Sequence, residues 1–169
     1  MKKNIFHGKL LVFIFFIIST SSQTFCEEII IEKGSVTGLK IPRFVSLKKN
    51  KANIRRGPGI SYKIDWIYNF KGLPLEIFAE YGVWRKIRDF EGDIGWIHSK
   101  LLSGKRTVLF YKNEAFLRKN PSLNSKKIAL INKNVIGDLI ECEIFWCKVK
   151  VEKKVGWAFK NSIWGVIRD

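Results

Sequence analysis

The residues best equipped for chemistry are few. The chain holds two histidines, His7 and His98, and three cysteines, Cys26, Cys142 and Cys147, against six tryptophans. That is poor material for a four-ligand zinc site or a Ser-His-Asp triad. No cofactor and no metal are expected, and a non-catalytic role is favoured over an enzyme. Cys142 and Cys147 bracket Glu143-Ile144-Phe145-Trp146. Cysteines flanking so short a loop can sit opposite each other on paired strands, within disulfide reach. In an oxidising compartment a bridge is the natural reading, contributing on the order of 2 kcal/mol through loop closure. A redox-active pair is the alternative, although the spacing is not that of the common redox motif.

The second group is aromatic and basic. Trp84-Arg85-Lys86-Ile87-Arg88 and Trp146-Cys147-Lys148-Val149-Lys150-Val151 both read as strands, whose side chains alternate between faces. Cys147, Val149 and Val151 define the core-facing side of the second run. Trp84, Lys86 and Arg88 therefore point outward, as do Trp146, Lys148 and Lys150, and these six are the candidate ligand-binding residues. A partly exposed indole beside cations suits sugar rings, peptide prolines or anionic polymers. The competing reading lays each indole over the end of its own unit and leaves the cations solvated. Trp96 and Trp157, each preceded by glycine, are expected to pack where a barrel closes. Arg55 and Arg118 alternate against Ile54 and Leu117 and are expected to face solvent.

The elements that must position these residues occur twice. Ala52-Asn53-Ile54-Arg55-Arg56-Gly57-Pro58 returns 63 residues later as Ala115-Phe116-Leu117-Arg118-Lys119-Asn120-Pro121. Val83-Trp84-Arg85-Lys86-Ile87 returns at an offset of 62, and Gly95-Trp96 at an offset of 61. A drift of one residue between blocks fits two units that differ by single deletions in turns. Gly57-Pro58-Gly59 and Asn120-Pro121-Ser122 are turn clusters, and segments 75–81 and 84–90 flank a tight turn at Gly82. No stretch after residue 26 sustains helical periodicity with caps. The fold class is all-β, barrels or sandwiches, in two small tandem units after an N-terminal address.

The blocks Asn53-Ile54-Arg55-Arg56-Gly57-Pro58, Trp84-Arg85-Lys86-Ile87 and Gly95-Trp96-Ile97-His98-Ser99-Lys100-Leu101-Leu102 together resemble the bacterial SH3 (Src homology 3-like) domain family. The resemblance covers residues 44–104 well and 105–166 less strictly. Phe116 stands where the family has asparagine, and Asn120 where it has glycine, so the first turn of the second unit is expected to be built differently. The resemblance implies a partly open β-barrel, usually exported and often attached to a wall hydrolase as a targeting module. It further implies binding to peptidoglycan or to another envelope partner. The usual catalytic neighbour, a cysteine-histidine peptidase domain, needs about a hundred residues of its own, and none is expected beside the two units.

Lys2, Lys3 and Lys9 precede an apolar run from Leu10 to Ile18, followed by Ser19, Thr20, Ser21 and Ser22. This is the pattern of a secretory signal peptide. The run is about half the ~20 residues that span a bilayer, with an uncleaved anchor as the alternative. The expected organisation is a signal peptide over 1–26, a lead-in over 27–43, and units over 44–104 and 105–169. No membrane span is expected after cleavage, which makes the exported chain periplasmic or otherwise envelope-associated. Removal of the three early lysines lowers the net charge from +16 to +13. Export makes nucleic acid an improbable partner. The basicity would favour peptidoglycan or an anionic envelope polymer, or it would reflect a generally basic, solvated surface. The alternative function is a periplasmic protein–protein adaptor that holds an acidic or proline-bearing segment of a partner.

Overall fold

The computed structural model describes residues 32–167. The proposed signal peptide, Cys26 and the first part of the lead-in lie outside these residues. Most strands form where buried and more exposed positions alternate, and turn residues fall between them. The first seven are β1 (Arg43–Leu47), β2 (Ala52–Arg55), β3 (Ile64–Tyr68), β4 (Pro74–Tyr81), β5 (Trp84–Arg88), β6 (Ile94–His98) and β7 (Leu102–Ser103). The second seven are β8 (Thr107–Phe110), β9 (Ala115–Arg118), β10 (Lys127–Ile131), β11 (Ile136–Cys142), β12 (Trp146–Val151), β13 (Lys154–Phe159) and β14 (Ile163–Trp164). Apart from two single-turn 3-10 helices, no helix occurs among the described residues, and none is long and apolar enough to cross a membrane.

The duplication read from the sequence is a duplication of topology. The first sheet runs β3-β2-β6-β5-β4-β1-β7, and the second repeats it as β10-β9-β13-β12-β11-β8-β14, with every recorded pairing antiparallel. Even the irregularities recur. The β4–β5 register slips between Ile77 and Ala79, and the β11–β12 register slips between Leu139 and Glu141. Beyond each slip the strands run to a turn, which in the first unit places Gly82 at φ +48°.

Alternation fills two cores. Ile54, Leu75, Ile77, Ile87 and Ile97 are buried in the first, and Val108, Phe110, Leu117, Val149 and Ile163 in the second. Burying side chains of this size stabilises by roughly 1.5–3 kcal/mol each before entropy is counted. The seam between the units is packed as a core would be. Leu109 of β8 belongs to the first unit's cluster, with Ile136 and Trp164 against it. The Trp164 ring meets Phe44 edge-on at 5.2 Å, and the Thr107 hydroxyl donates to the Gly72 carbonyl at 2.7 Å.

Candidate functional site

Each unit presents a loop between its second and third strands, and an arginine fixes that loop. The Arg55 guanidinium donates from Nη1 to the carbonyls of Ile60 and Tyr62, at 2.9 and 2.7 Å. Arg118 does the same to the Ser125 carbonyl at 2.8 Å. Both arginines lie on the outward face, as alternation predicts, but they are not merely solvated: each clamps the loop that follows it. The altered turn of the second unit also has a local cause. The Tyr62 ring covers Gly57 so closely that a Cβ there would lie 2.4 Å from it. The position equivalent to Tyr62 is Ser125, whose hydroxyl accepts instead from the Asn120 amide at 2.9 Å. Loss of the ring makes room for a side chain at residue 120.

Trp84 and Trp146 lie on the non-core face of β5 and β12, as strand alternation requires, yet each is only 8% exposed. The expectation of partly exposed platforms is corrected on this point. Trp84 packs against the His98 ring at 5.4 Å, and Trp146 against Phe159 at 5.2 Å. The hairpin tip bonds back onto the 3-10 turn in both units, from Ser99 N to Val83 O and from Lys160 N to Phe145 O. Those contacts help to cover the indoles.

Trp84 lines a groove of about 530 Å³. Lys51 and Arg55 give that lining two cations, Asn53 an amide, and Ile60, Ile64 and Ile67 its apolar surface. Lys86 and Arg88 are not part of it. They lie over the Phe78 ring, at 5.5 and 5.9 Å from its centre, and Arg88 donates twice to Glu76 Oε2 at 2.8 and 2.6 Å. The sequence reading missed Lys51, Asn53 and Ile64, which come from the segment just before β2, from β2 and from β3. In the second unit Lys148 pairs with Glu141 at 3.2 Å and lies 5.8 Å from the Trp157 ring, while Lys150 is exposed. The residues equivalent to Asn53 and Ile64 are Phe116 and Lys127. The Lys127 ammonium sits 3.9 Å over the Phe116 ring, so that surface is occupied by the protein's own side chains.

The two hairpins are fastened differently at one shared position. Glu80 opposes Arg85 across β4 and β5, and Cys142 opposes Cys147 across β11 and β12. The first pair is an ion pair at 3.4 Å, and the second is a disulfide. Glu80 also holds the lead-in. It accepts from the amides of Val36 and Thr37, the Thr37 hydroxyl, and Arg43 at 2.7 Å. Burial alone would raise its carboxyl pKa, but the bonds from Arg43, Thr37 and Val36 outweigh it and bring the value down to about 2.

A model of the bacterial SH3 domain family matches residues 48–104 and again residues 111–165. The chain belongs to the bacterial SH3 domain family. Among curated relatives of this bacterial SH3 chain is the putative N-acetylmuramoyl-L-alanine amidase YrvJ of Bacillus subtilis (strain 168), 24% identical over 125 residues. That match takes in 68% of this chain and 24% of the amidase, so the chain spans about a quarter of that relative's length. Two solved structures from Trichomonas vaginalis, NlpC2 and NlpC1, are similar at 12% identity, with TM-scores of 0.34 and 0.35. They cover 73% and 80% of this chain, and this chain covers 48% and 49% of theirs.

Proposed function

We propose that this chain is a non-catalytic, exported protein of the cell envelope that binds wall glycopeptide through the groove of its first unit. The observation that carries the reading is the groove itself. It is an open, largely apolar groove lined by Trp84, Lys51 and Arg55, whose counterpart in the second unit carries Phe116 with Lys127 over its ring. Apolar walls with a few convergent polar groups are the usual make-up of a binding site. The cations would attract carboxylate- or phosphate-bearing polymers. One relative is named as a putative N-acetylmuramoyl-L-alanine amidase, and a targeting role would fit that company. Lys86, Arg88, Lys148 and Lys150 would then act at long range, as charge, and Trp146 would serve the packing of its own unit.

Sedimentation with purified peptidoglycan tests this. The double variant Asn53→Phe/Ile64→Lys, which installs the second unit's filling in the first groove, is expected to lose wall binding while remaining folded. Trp84→Ala should weaken binding as well, with folding checked by circular dichroism. Unchanged sedimentation of the filled variant would remove the groove from the account. Recovery of an acidic protein partner from digested envelope, with none of the chain on the wall, would replace the wall-binding reading with the adaptor reading. Turnover of wall fragments by the purified protein would overturn the non-catalytic assignment.

A further inference from the structure

The seam between the units contains a cleft of about 240 Å³ that the proposed groove does not use. Its walls are apolar and come from both units. Phe70 and Phe90 stand on the first-unit side, and Leu109 and Ile136 on the second. Phe70 is 64% exposed at the cleft, an unusual position for a phenylalanine in a well-packed seam. The lining also includes Asp89 and Glu91, and no lysine or arginine lines the cleft.

That sign is opposite to the rest of the molecule. The chain carries 31 basic residues against 15 acidic ones. Even so, Asp89, Glu91 and Asp93 take part in none of the ion pairs among the described residues. The Asp89 carboxylate is 97% buried and is spent on holding the wall. It accepts from the Tyr68 hydroxyl at 2.6 Å and from the amides of Glu91 and Asp93 at 3.0 Å. Tyr68 lines the cleft too. Glu91 is exposed and is left to meet a ligand.

We propose that this cleft is a second binding site, which takes a primary ammonium on a short alkyl stem, the side chain of a lysine-like residue in a peptide. The volume is below the roughly 300–1,000 Å³ of sites for whole small molecules, so one side chain fills it. The aliphatic and phenyl walls accept the stem, and aromatic faces tolerate a cation at its tip. The Glu91 carboxylate supplies the charge-assisted hydrogen bond. Because Leu109 and Ile136 form one wall, the site exists only while the two units are docked.

Titration of the isotope-labelled protein with Nα-acetyl-lysine N-methylamide, followed by amide chemical shifts, tests the site. Shifts are expected at Phe70 and Phe90 and also at Leu109 and Asn134, across the seam. The neutral norleucine analogue, which has a similar stem and no charge, should bind about tenfold more weakly or worse. Glu91→Gln, an exposed substitution that leaves the fold intact, should weaken the lysine analogue by about fivefold or more. The groove variant Asn53→Phe/Ile64→Lys should bind the analogue as the parent does, which separates this site from the wall-binding groove. Shifts confined to the loop over 89–93, equal affinity for the neutral analogue, or an unaffected Glu91→Gln variant would each overturn the proposal.

Discussion

Replacing Glu80 by glutamine should destabilise the first unit in a manner that depends on pH. Glu80 has a side chain fully removed from solvent and faces two arginines, Arg43 from β1 and Arg85 from β5, at 2.7 and 3.4 Å. Its carboxyl lies at about 2, against an ordinary value of 4.5, which corresponds to at most about 3 kcal/mol. The Arg43 side chain is 18% exposed, and solvent screening there reduces the expected effect to about 2 kcal/mol. Because the folded-state pKa lies below the unfolded one, this stabilisation is fully present above about pH 4.5. It disappears as the pH falls through about 2. Glutamine keeps the shape but leaves two guanidinium groups without a counter-charge. Urea unfolding followed by tryptophan fluorescence, at pH 7 and at steps down to pH 2, measures both quantities. At pH 7 the variant should be less stable by about 2 kcal/mol, and the gap to the parent should close between pH 4.5 and 2. A variant within about 0.5 kcal/mol of the parent at pH 7, or a gap that stays constant to pH 2, would refute the assignment.

Two further outcomes follow from the repeat-specific chemistry. Reduction of the Cys142–Cys147 bridge, or the double Cys→Ser variant, should cost about 2 kcal/mol in chemical denaturation without changing the fold by circular dichroism. No loss would mean that the hairpin turn alone holds the strands. Gly57→Ala should cost about 1–3 kcal/mol through collision with the Tyr62 ring, and Tyr62→Ser in the same chain should recover most of it. A double-mutant cycle whose coupling lies within about 0.5 kcal/mol of zero would show that the ring is not the reason for the glycine.

Along a single strand the sequence is informative. Alternation in Cys147-Lys148-Val149-Lys150-Val151 separates core from surface, because the pleat has a period of two whatever the tertiary context. The spacing of Cys142 and Cys147 anticipates their opposition for the same local reason. What could not be read is what strands from distant parts of the chain bring together. Trp84 shares a face with Lys86 and Arg88, but it meets Lys51, Asn53 and Arg55, which lie some 30 residues earlier in the chain. Lys86 and Arg88 instead find Phe78 and Glu76 on the neighbouring strand. Arg55 and Arg118 looked solvated because nothing local shows that the following loop returns to their guanidinium groups. The burial of Glu80 depends on Val36 and Thr37, 44 and 43 residues away. An identical fastening position filled by Glu-Arg in one unit and Cys-Cys in the other becomes visible only when the two registers are laid side by side.

That last difference bears on how the chain avoids confusing its own halves. Adjacent copies of one fold in a single polypeptide invite exchange of equivalent strands during folding. In this chain a crossed hairpin of β4 with β12 would set the Glu80 carboxylate opposite the Cys147 thiol. The reciprocal hairpin of β11 with β5 would set Cys142 opposite Arg85. Each hybrid loses the Glu80–Arg85 ion pair of the native first hairpin, and neither can form the covalent link. The two fasteners thus differ like mismatched keys, which favours pairing of each half of the duplicated fold with its own hairpin partner.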